Sequence, residues 1–182
     1  MIVIAVTVLG YLLDNQISGS LIYQRDMINQ GQWWRIISAA FFHTNIFHLI
    51  LNVTAVLLLW VLHGNFYNTQ SYLLTFFFCA FMSSIGIHLF SYDVKQYLGL
   101  SGALHGVFFW GAIQEIKHEQ KIGYLLAAGI VLKLLYEQLF GASFDTIELI
   151  DADVAIDAHL WGVLGGAIAS LPLMSAKRRL QV

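Results

Sequence analysis

Ser101 is the residue of this sequence whose surroundings best suit a nucleophile. It follows Gly99 and Leu100 and precedes Gly102, which predicts a turn that enters a helix, where unpaired backbone N–H groups can stabilise an oxyanion. A serine hydroxyl attacks a carbonyl only when a neighbouring base takes its proton. We therefore predict acyl-transfer chemistry with Ser101 as the nucleophile, provided that the fold supplies a base.

Two histidines compete for the role of that base. His105 lies one turn after Ser101 on the same predicted helix, and His159 lies on the last predicted helix. His159 reaches Ser101 only if the two helices pack tightly, and glycines four residues apart allow membrane helices to approach closely. Each helix carries such a pair: Gly102 with Gly106, and Gly162 with Gly166. We favour His159 as the base and His105 as a supporting neighbour.

His48 and Asn52 are the candidate donors to the oxyanion. They are four residues apart on a predicted helix, so both side chains share a face and can donate into one cavity. Each donor of this kind contributes roughly 10²–10³ in rate. The alternative for Asn52 is a hydrogen bond that joins two helices. The backbone N–H of Ser101 completes the predicted oxyanion hole.

A metal site built from histidines is the alternative chemistry. The sequence has no H-E-x-x-H motif and no carboxylate at ligand spacing beside His43 or His48, so we predict no metal. Asp157 lies two residues before His159, and residues two apart on a helix do not face each other. We therefore predict that Asp157 is not the acid of a triad. A separate polar set, for which we favour substrate or structural contacts, is Lys133, Glu137 and Gln138.

The elements that position these residues must lie in a membrane. Of the 182 residues, 58% are hydrophobic and only 11% are charged, whereas a soluble domain carries about 25% charged residues. No Pro/Gly/Ser-rich or highly charged linker divides the chain, so we predict one domain over residues 1–182. The longest basic tract is Lys177–Arg179, which argues against a nucleic-acid partner. Cys79 is the single cysteine, which excludes an intrachain disulfide.

Apolar runs predict six membrane spans, each near the ~20 residues that a spanning helix needs. They cover residues 1–20, 46–63, 70–90, 99–116, 122–141 and 155–175. The first is the weakest, because its unbroken apolar stretch ends at Leu13. A cleaved signal peptide is the alternative for this segment, but no basic region precedes it and no A-x-A site follows it. We predict a membrane helix.

The loops predict the orientation. Trp33, Trp34 and Arg35 in the long first loop form an interfacial signature. Five basic residues lie on one side of the membrane, namely Lys117, Lys121, Lys177, Arg178 and Arg179, against Arg25, Arg35 and Lys95 on the other. This excess favours both termini in the cytoplasm. Ser101 and His159 then lie at similar depth near the outer face.

Three elements in this order resemble the rhomboid intramembrane serine proteases: HxxxxHLxxN leading into span two, GLSG at the head of span four, and AHxxGxxxG on span six. The resemblance implies an all-α membrane protein, a six-transmembrane-helix rhomboid-like bundle with an interfacial first loop. It implies a Ser101–His159 dyad without an acid, no cofactor, and an oxyanion hole from His48, Asn52 and the Ser101 N–H. His43 matches a further histidine near the oxyanion pocket.

The sequence departs from common bacterial rhomboids at two positions. His105 stands where many of them have a tyrosine that stacks under the catalytic histidine, and Ala39 stands where they often have a histidine. The strings GLSGALHG, KLLYEQ (133–138) and VAIDAHLWG (154–162) instead resemble the rhombosortase subfamily. That likeness implies removal of the C-terminal anchor of exported proteins that end in a Gly-Gly motif, an apolar helix and basic residues.

The resemblance implies membrane-anchored protein substrates and a place in the bacterial inner membrane, with the active site open to the periplasm. Three alternatives stay open. The chain could be a general rhomboid protease with other single-span substrates, or a non-catalytic rhomboid-like protein that binds membrane clients. It could also be a transporter whose histidines relay protons with Lys133, Glu137 or Asp157, although we find no internal repeat.

Overall fold

The fold is a bundle of helices joined by short loops. The computed structural model describes residues 1–171. The α-helices of this part of the chain, numbered in order, are α1 (Ile2–Leu12), α2 (Asp14–Leu21), α3 (Arg25–Asn29), α4 (Arg35–Ser38), α5 (Ile46–His63), α6 (Thr69–Phe90), α7 (Ser101–Lys117), α8 (Ile122–Phe140), α9 (Phe144–Ile150) and α10 (Ile156–Ala169). Two 3-10 turns cover Ala39–Phe41 and Gly64–Phe66, and strands β1 (Tyr23–Gln24) and β2 (Gln96–Tyr97) pair antiparallel.

Three helices of the described residues are long and apolar enough to cross a membrane. They are Ile46–Phe66, in which α5 continues into a 3-10 turn, α6 and α8, and they match the second, third and fifth predicted spans. Helix α7 has 17 residues, and α10 is an apolar helix of 14 residues. The predicted sixth span extends to residue 175, so its end lies outside the described residues. The count of six spans stays a prediction.

The predicted first span is divided into two helices. Helix α1 ends at Leu12, α2 begins at Asp14, and Leu13 between them has ψ 2°. Eleven helical residues extend about 16 Å, roughly half of the hydrocarbon thickness of a bilayer. Residues 1–20 therefore do not form the single continuous helix that the sequence predicted. Helix α1 packs against the turn at Phe41, whose carbonyl oxygen would lie 2.6 Å from a Cβ added at Gly10.

Helix α7 lies at the centre of the bundle, in contact with α5, α6, α8 and α10. Its closest neighbour is α10, because both helices present glycine at the crossing. A Cβ added at Gly162 would collide with the Gly102 carbonyl, and one added at Gly166 would collide with the Gly106 carbonyl. The two backbones are thus in direct contact, which larger side chains would prevent. The predicted glycine seam between spans four and six is present in the structure.

The first loop is ordered by two buried arginines. Arg25 donates to the carbonyls of Ile87, His88 and Ser91 near the end of α6, where helix carbonyls lack partners. Arg35 donates to the Gln32 side chain and to the carbonyls of Gly19 and Ile22. The loop also carries the adjacent tryptophans Trp33 and Trp34, which are 56% and 54% exposed. Exposed indoles at this level suit a headgroup interface, and that location stays a prediction.

Basic residues lie at both ends of the bundle. Lys117 at the end of α7 donates to the Ser170 carbonyl just after α10, so α10 ends beside the loop that carries Lys117 and Lys121. Arg25 and Arg35 lie at the opposite end, near the start of α7. The remaining basic residues of the predicted cytoplasmic set, Lys177, Arg178 and Arg179, lie outside the described residues. The cytoplasmic assignment of the termini therefore stays a prediction.

Candidate active site

Ser101 is the first residue of α7, and the preceding turn depends on Gly99. Gly99 has φ 115°, a conformation that glycine adopts readily and other residues rarely do. Its N–H donates to the Ala39 carbonyl at 3.1 Å, which ties the turn to the first loop. Ser101 is half-buried, and its N–H is among the first of α7, which have no partner within the helix. The nucleophile candidate therefore lies at a helix N-terminus, as its glycine neighbours predicted.

His159 contacts Ser101 across the α7–α10 crossing. Its Nε2 lies 3.1 Å from Ser101 Oγ, within hydrogen-bond distance. Gly162 and Gly166 follow His159 by about one and two turns on the same face of α10, and they set the close approach of the helices. The contact between the two side chains is therefore a direct result of the glycine seam.

His105 is bound to the backbone of Ser101 instead of its hydroxyl. Its Nδ1 lies 2.7 Å from the Ser101 carbonyl oxygen, and because a carbonyl only accepts, Nδ1 carries the proton. The His105 ring stacks on the His159 ring with centroids 3.9 Å apart and planes 13° from parallel. His105 thus lies face to face with His159. This geometry favours His159 over His105 as the base.

Glu137 on α8 contacts the other nitrogen of the His159 ring. Its Oε2 lies 2.9 Å from His159 Nδ1, and its Oε1 accepts a hydrogen bond from Lys133 Nζ at 2.6 Å. The sequence assigned this pair only to substrate or structural contacts, and the dyad implied by the resemblance has no acid. The available signal was the i, i+4 spacing of Lys133 and Glu137 within an apolar run, but it does not show which helix that face meets.

Asp157 does not orient His159. Its Oδ1 accepts a hydrogen bond from Gln138 Nε2 at 3.2 Å, so it joins α10 to α8 at the edge of the site. This is the outcome expected from the two-residue separation of Asp157 and His159. Gln138 belongs to the same polar set as Glu137 but contacts a different residue of α10.

His48 and Asn52 lie beside the turn that precedes Ser101. A Cβ added at Gly99 would lie 2.8 Å from His48 Nε2 and 3.9 Å from Asn52 Nδ2. Asn52 Nδ2 donates one hydrogen bond to the His48 carbonyl at 3.1 Å, which leaves its second hydrogen free to donate elsewhere. Both side chains are buried and on the inner face of α5. The structure thus brings the predicted oxyanion donors next to the nucleophile turn.

His43 is fully buried beside His48, with ring centroids 4.8 Å apart in an edge arrangement. Burial, and secondarily the neighbouring His48, lower the pKa of His43 to about 3, so its ring is neutral at physiological pH. Among the described residues, no group hydrogen-bonds either nitrogen of this ring. His43 therefore offers an unpaired donor and acceptor next to the oxyanion candidates.

Two side chains at the start of α5 hold α9 in place. Thr44 Oγ1 donates to the Ile150 carbonyl at 2.6 Å, and Asn45 Nδ2 donates to the Leu149 carbonyl at 3.0 Å. Thr44 Oγ1 also lies 3.1 Å from His48 Nδ1, and the Thr44 N–H approaches the same nitrogen at a longer 3.4 Å. The short contact to a carbonyl takes the only hydroxyl hydrogen, while the Thr44 N–H donates to His48 Nδ1, so the two Thr44 contacts favour different tautomers of His48.

The site also contains a cluster with metal-ligand chemistry. His105, Glu137 and His159 each offer one ligand atom, and these atoms lie within 4.8 Å of one another. Glu137 Oε2 and His159 Nδ1 already form a hydrogen bond, and His105 Nδ1 is bound to the Ser101 carbonyl. The proximity of the three side chains is thus accounted for by the hydrogen-bond network around Ser101.

The sequence of this chain is similar to known proteins of one family. The family profile described as "Rhomboid domain" matches residues 30–176. Two similar proteins are from Bacillus subtilis (strain 168): "Putative rhomboid protease YdcA", 23% identical over 152 residues, and "Rhomboid protease GluP", 25% identical over 152 residues. "Rhomboid-like protease 3" of Toxoplasma gondii is 26% identical over 141 residues.

The matched regions cover most of this chain but different shares of the relatives. They span 84%, 82% and 74% of this chain, and 73%, 28% and 49% of the three relatives in the same order. The second and third relatives are therefore much longer than the part that they share with this chain.

Proposed function

Because the chain belongs to the rhomboid family, we propose that it is a serine endopeptidase that cuts membrane-anchored proteins with Ser101 as nucleophile and His159 as base. The family match and the relatives support an integral membrane protein and an intramembrane protease. The observation that carries the mechanism is the 3.1 Å contact between His159 Nε2 and Ser101 Oγ at the start of α7.

The proposed reaction proceeds through an acyl-enzyme. His159 Nε2 takes the hydroxyl proton as Ser101 Oγ attacks the carbonyl carbon of the scissile bond. The tetrahedral intermediate collapses when the imidazolium gives that proton to the leaving amine, and the C–N bond breaks. Water then attacks the ester with the same base, which releases the acid and regenerates Ser101. An amine in place of water would give acyl transfer.

Asn52 can donate a hydrogen bond to the oxyanion whatever the tautomer of the neighbouring His48. His48 can donate from Nε2, the nitrogen nearer Gly99, only in the tautomer whose Nδ1 accepts from the Thr44 N–H. Asn52 Nδ2 always carries two hydrogens, and only one is used by the His48 carbonyl. Asn52 and the Ser101 N–H are therefore the donors that need no particular tautomer of His48.

We expect Asn52→Ala to lower kcat by roughly 10²–10³-fold with little change in KM, because the donor acts mainly on the developing oxyanion. Peptide turnover in detergent or vesicles measures the effect. Ser83→Ala is a matched control, since Ser83 Oγ also donates to a carbonyl four residues back, that of Cys79 on α6. Unchanged turnover in Asn52→Ala, or an equal loss in both variants, would contradict the assignment.

We propose that the substrates are exported proteins whose C-terminal anchor begins with a Gly-Gly motif, as in the rhombosortase subfamily. The support is the sequence likeness of the strings around Ser101, Glu137 and His159. A helical peptide bond is shielded and hydrogen-bonded, so a substrate must unwind near the cut, and glycine lowers that cost because it disfavours helix. The proposed location is the bacterial inner membrane, with both termini cytoplasmic and Ser101 open to the periplasm.

A reporter protein reconstituted with the purified enzyme in vesicles tests this specificity. The reporter carries Gly-Gly, an apolar helix and basic residues, and the comparison reporter has Leu-Leu in place of Gly-Gly. We expect cleavage of the first only, without any ion gradient, and none with Ser101→Ala. Equal cleavage of both reporters would favour a general rhomboid protease. Absence of cleavage together with absence of active-site labelling would favour a client-binding protein.

A further inference from the structure

We propose that Glu137 is a positioning residue for His159, so that the active site works as a Ser101–His159–Glu137 arrangement with Lys133 fixing the carboxylate. The inference rests on the proposed function and adds to it an acid that the dyad implied by the resemblance does not contain. Glu137 is 22 positions before His159 in the sequence and on another helix, α8.

The hydrogen-bond directions are set by the chemistry of the groups. An ionised carboxylate has no hydrogen and only accepts. The 2.9 Å contact of Glu137 Oε2 with His159 Nδ1 therefore places the proton of the neutral imidazole on Nδ1. His159 Nε2, 3.1 Å from Ser101 Oγ, is then free to accept the hydroxyl proton. This is the tautomer that a general base needs.

Lys133 holds the carboxylate in that orientation. Its Nζ lies 2.6 Å from Glu137 Oε1, so each carboxylate oxygen has one partner. The Glu137 and His159 side chains are 10% and 6% exposed, whereas the Lys133 side chain is 43% exposed. A lone carboxylate at this depth would be costly, and a cation on the same helix offsets its charge. The pair thus keeps Glu137 ionised next to His159.

The charge of Glu137 also matters during the reaction. When His159 takes the Ser101 proton, its ring becomes a cation enclosed by α7, α8 and α10. The carboxylate on Nδ1 stabilises that cation, as the acid does in soluble serine proteases. The His105 ring, stacked at 3.9 Å, prevents the imidazole from tilting away from Glu137. Two contacts of different chemistry therefore hold the His159 ring in its plane.

The test compares Glu137→Gln with Glu137→Asp and with Gln138→Leu. Glu137→Gln keeps the shape but removes the charge and the obligatory acceptor. Glu137→Asp keeps both on a side chain one carbon shorter. Gln138→Leu is the matched control, because Gln138 is the next residue of α8 and bonds Asp157 of α10, not His159. The readouts are the rate of fluorophosphonate labelling, kcat and KM for a cleaved reporter, and the melting temperature.

We expect Glu137→Gln to slow labelling and lower kcat by about 10²-fold or more at unchanged KM and melting temperature, by analogy with loss of the acid in soluble triads. Glu137→Asp should recover about tenfold or more of that loss, since it restores the charge and the acceptor. Gln138→Leu should stay within about twofold of the wild type, because its hydrogen bond to Asp157 is exposed and involves neither His159 nor Ser101.

Three results would overturn the inference. The first is a Glu137→Gln variant that reacts like the wild type. The second is an equal loss of rate and melting temperature in Glu137→Gln and Gln138→Leu, which would make Glu137 a packing contact. The third is a folded Glu137→Asp variant whose labelling rate and kcat are as low as those of His159→Ala. This third result decides the question even if Glu137→Gln does not fold. A wild type that is not labelled at all contradicts the proposed function instead.

Discussion

We expect Ser101→Ala to abolish fluorophosphonate labelling of the purified protein and His159→Ala to reduce labelling and proteolysis by roughly 10⁴-fold or more. In the proposed mechanism, Ser101 Oγ is the atom that the probe modifies, and His159 Nε2 at 3.1 Å is positioned to take its proton. Without the imidazole, the hydroxyl keeps its proton and is a weak nucleophile. In-gel fluorescence after timed labelling, with both variants at the wild-type concentration, measures the effect.

His105→Ala is the control that identifies the base. His105 contacts the Ser101 carbonyl and the face of the His159 ring but not Ser101 Oγ within the described structure. Labelling should therefore persist in this variant, at a reduced rate because His159 loses its stacking partner. If labelling is lost in His105→Ala and retained in His159→Ala, His105 is the base. If the wild type is not labelled while a known rhomboid protease reacts in parallel, the client-binding alternative gains support.

We expect Gly162→Ala to destabilise the protein by about 1–3 kcal/mol or more, the range for overpacked interiors, and to lower activity beyond the loss of folded protein. The added methyl group would collide with the Gly102 carbonyl. That carbonyl belongs to the backbone, so it cannot move aside as the end of a flexible side chain could. The helices α7 and α10 must separate, and Ser101 and His159 lie on either side of that contact. Thermal unfolding in detergent and the labelling rate of the folded fraction measure the two effects.

Gly129→Ala is the matched control for the glycine seam. Gly129 is inside α8, and a Cβ added there would meet no atom within 4 Å. Alanine also favours helix over glycine by about 1 kcal/mol, so stability should be unchanged or slightly higher. A Gly162→Ala variant as stable and as active as Gly129→Ala would show that the α7–α10 contact does not position the two candidate catalytic residues.

The membrane class follows from composition, because 58% hydrophobic residues with 11% charged ones leave too little polar surface for water. Helical periodicity also depends only on residues that are close in sequence. It placed His48 with Asn52 on one face of α5, and His159 with Gly162 and Gly166 on one face of α10, and residues three or four apart on a helix always share a face. The structure has both sets on inner faces.

The first helix shows where a local signal was insufficient. The apolar run up to Leu13 and the residues after it predict one span, but α1 ends at Leu12 and α2 begins at Asp14. Hydrophobicity reports which residues avoid water, whereas the chain after Leu13 is held by contacts of α2 with the first loop, where Arg35 donates to the Gly19 carbonyl and Trp34 Nε1 to the Ser20 carbonyl. Those contacts join residues distant in sequence.

The sequence by itself determined the membrane environment, the helical turn at Ser101 and the glycine pairs that allow two helices to approach closely, because each depends on composition or on neighbours within a few residues. Only the tertiary structure decided that His105 bonds the Ser101 carbonyl and that Glu137 meets His159. The rotation of α8 about its own axis selects which of its faces meets α10. That rotation results from the packing of the whole bundle, which no spacing within α8 encodes.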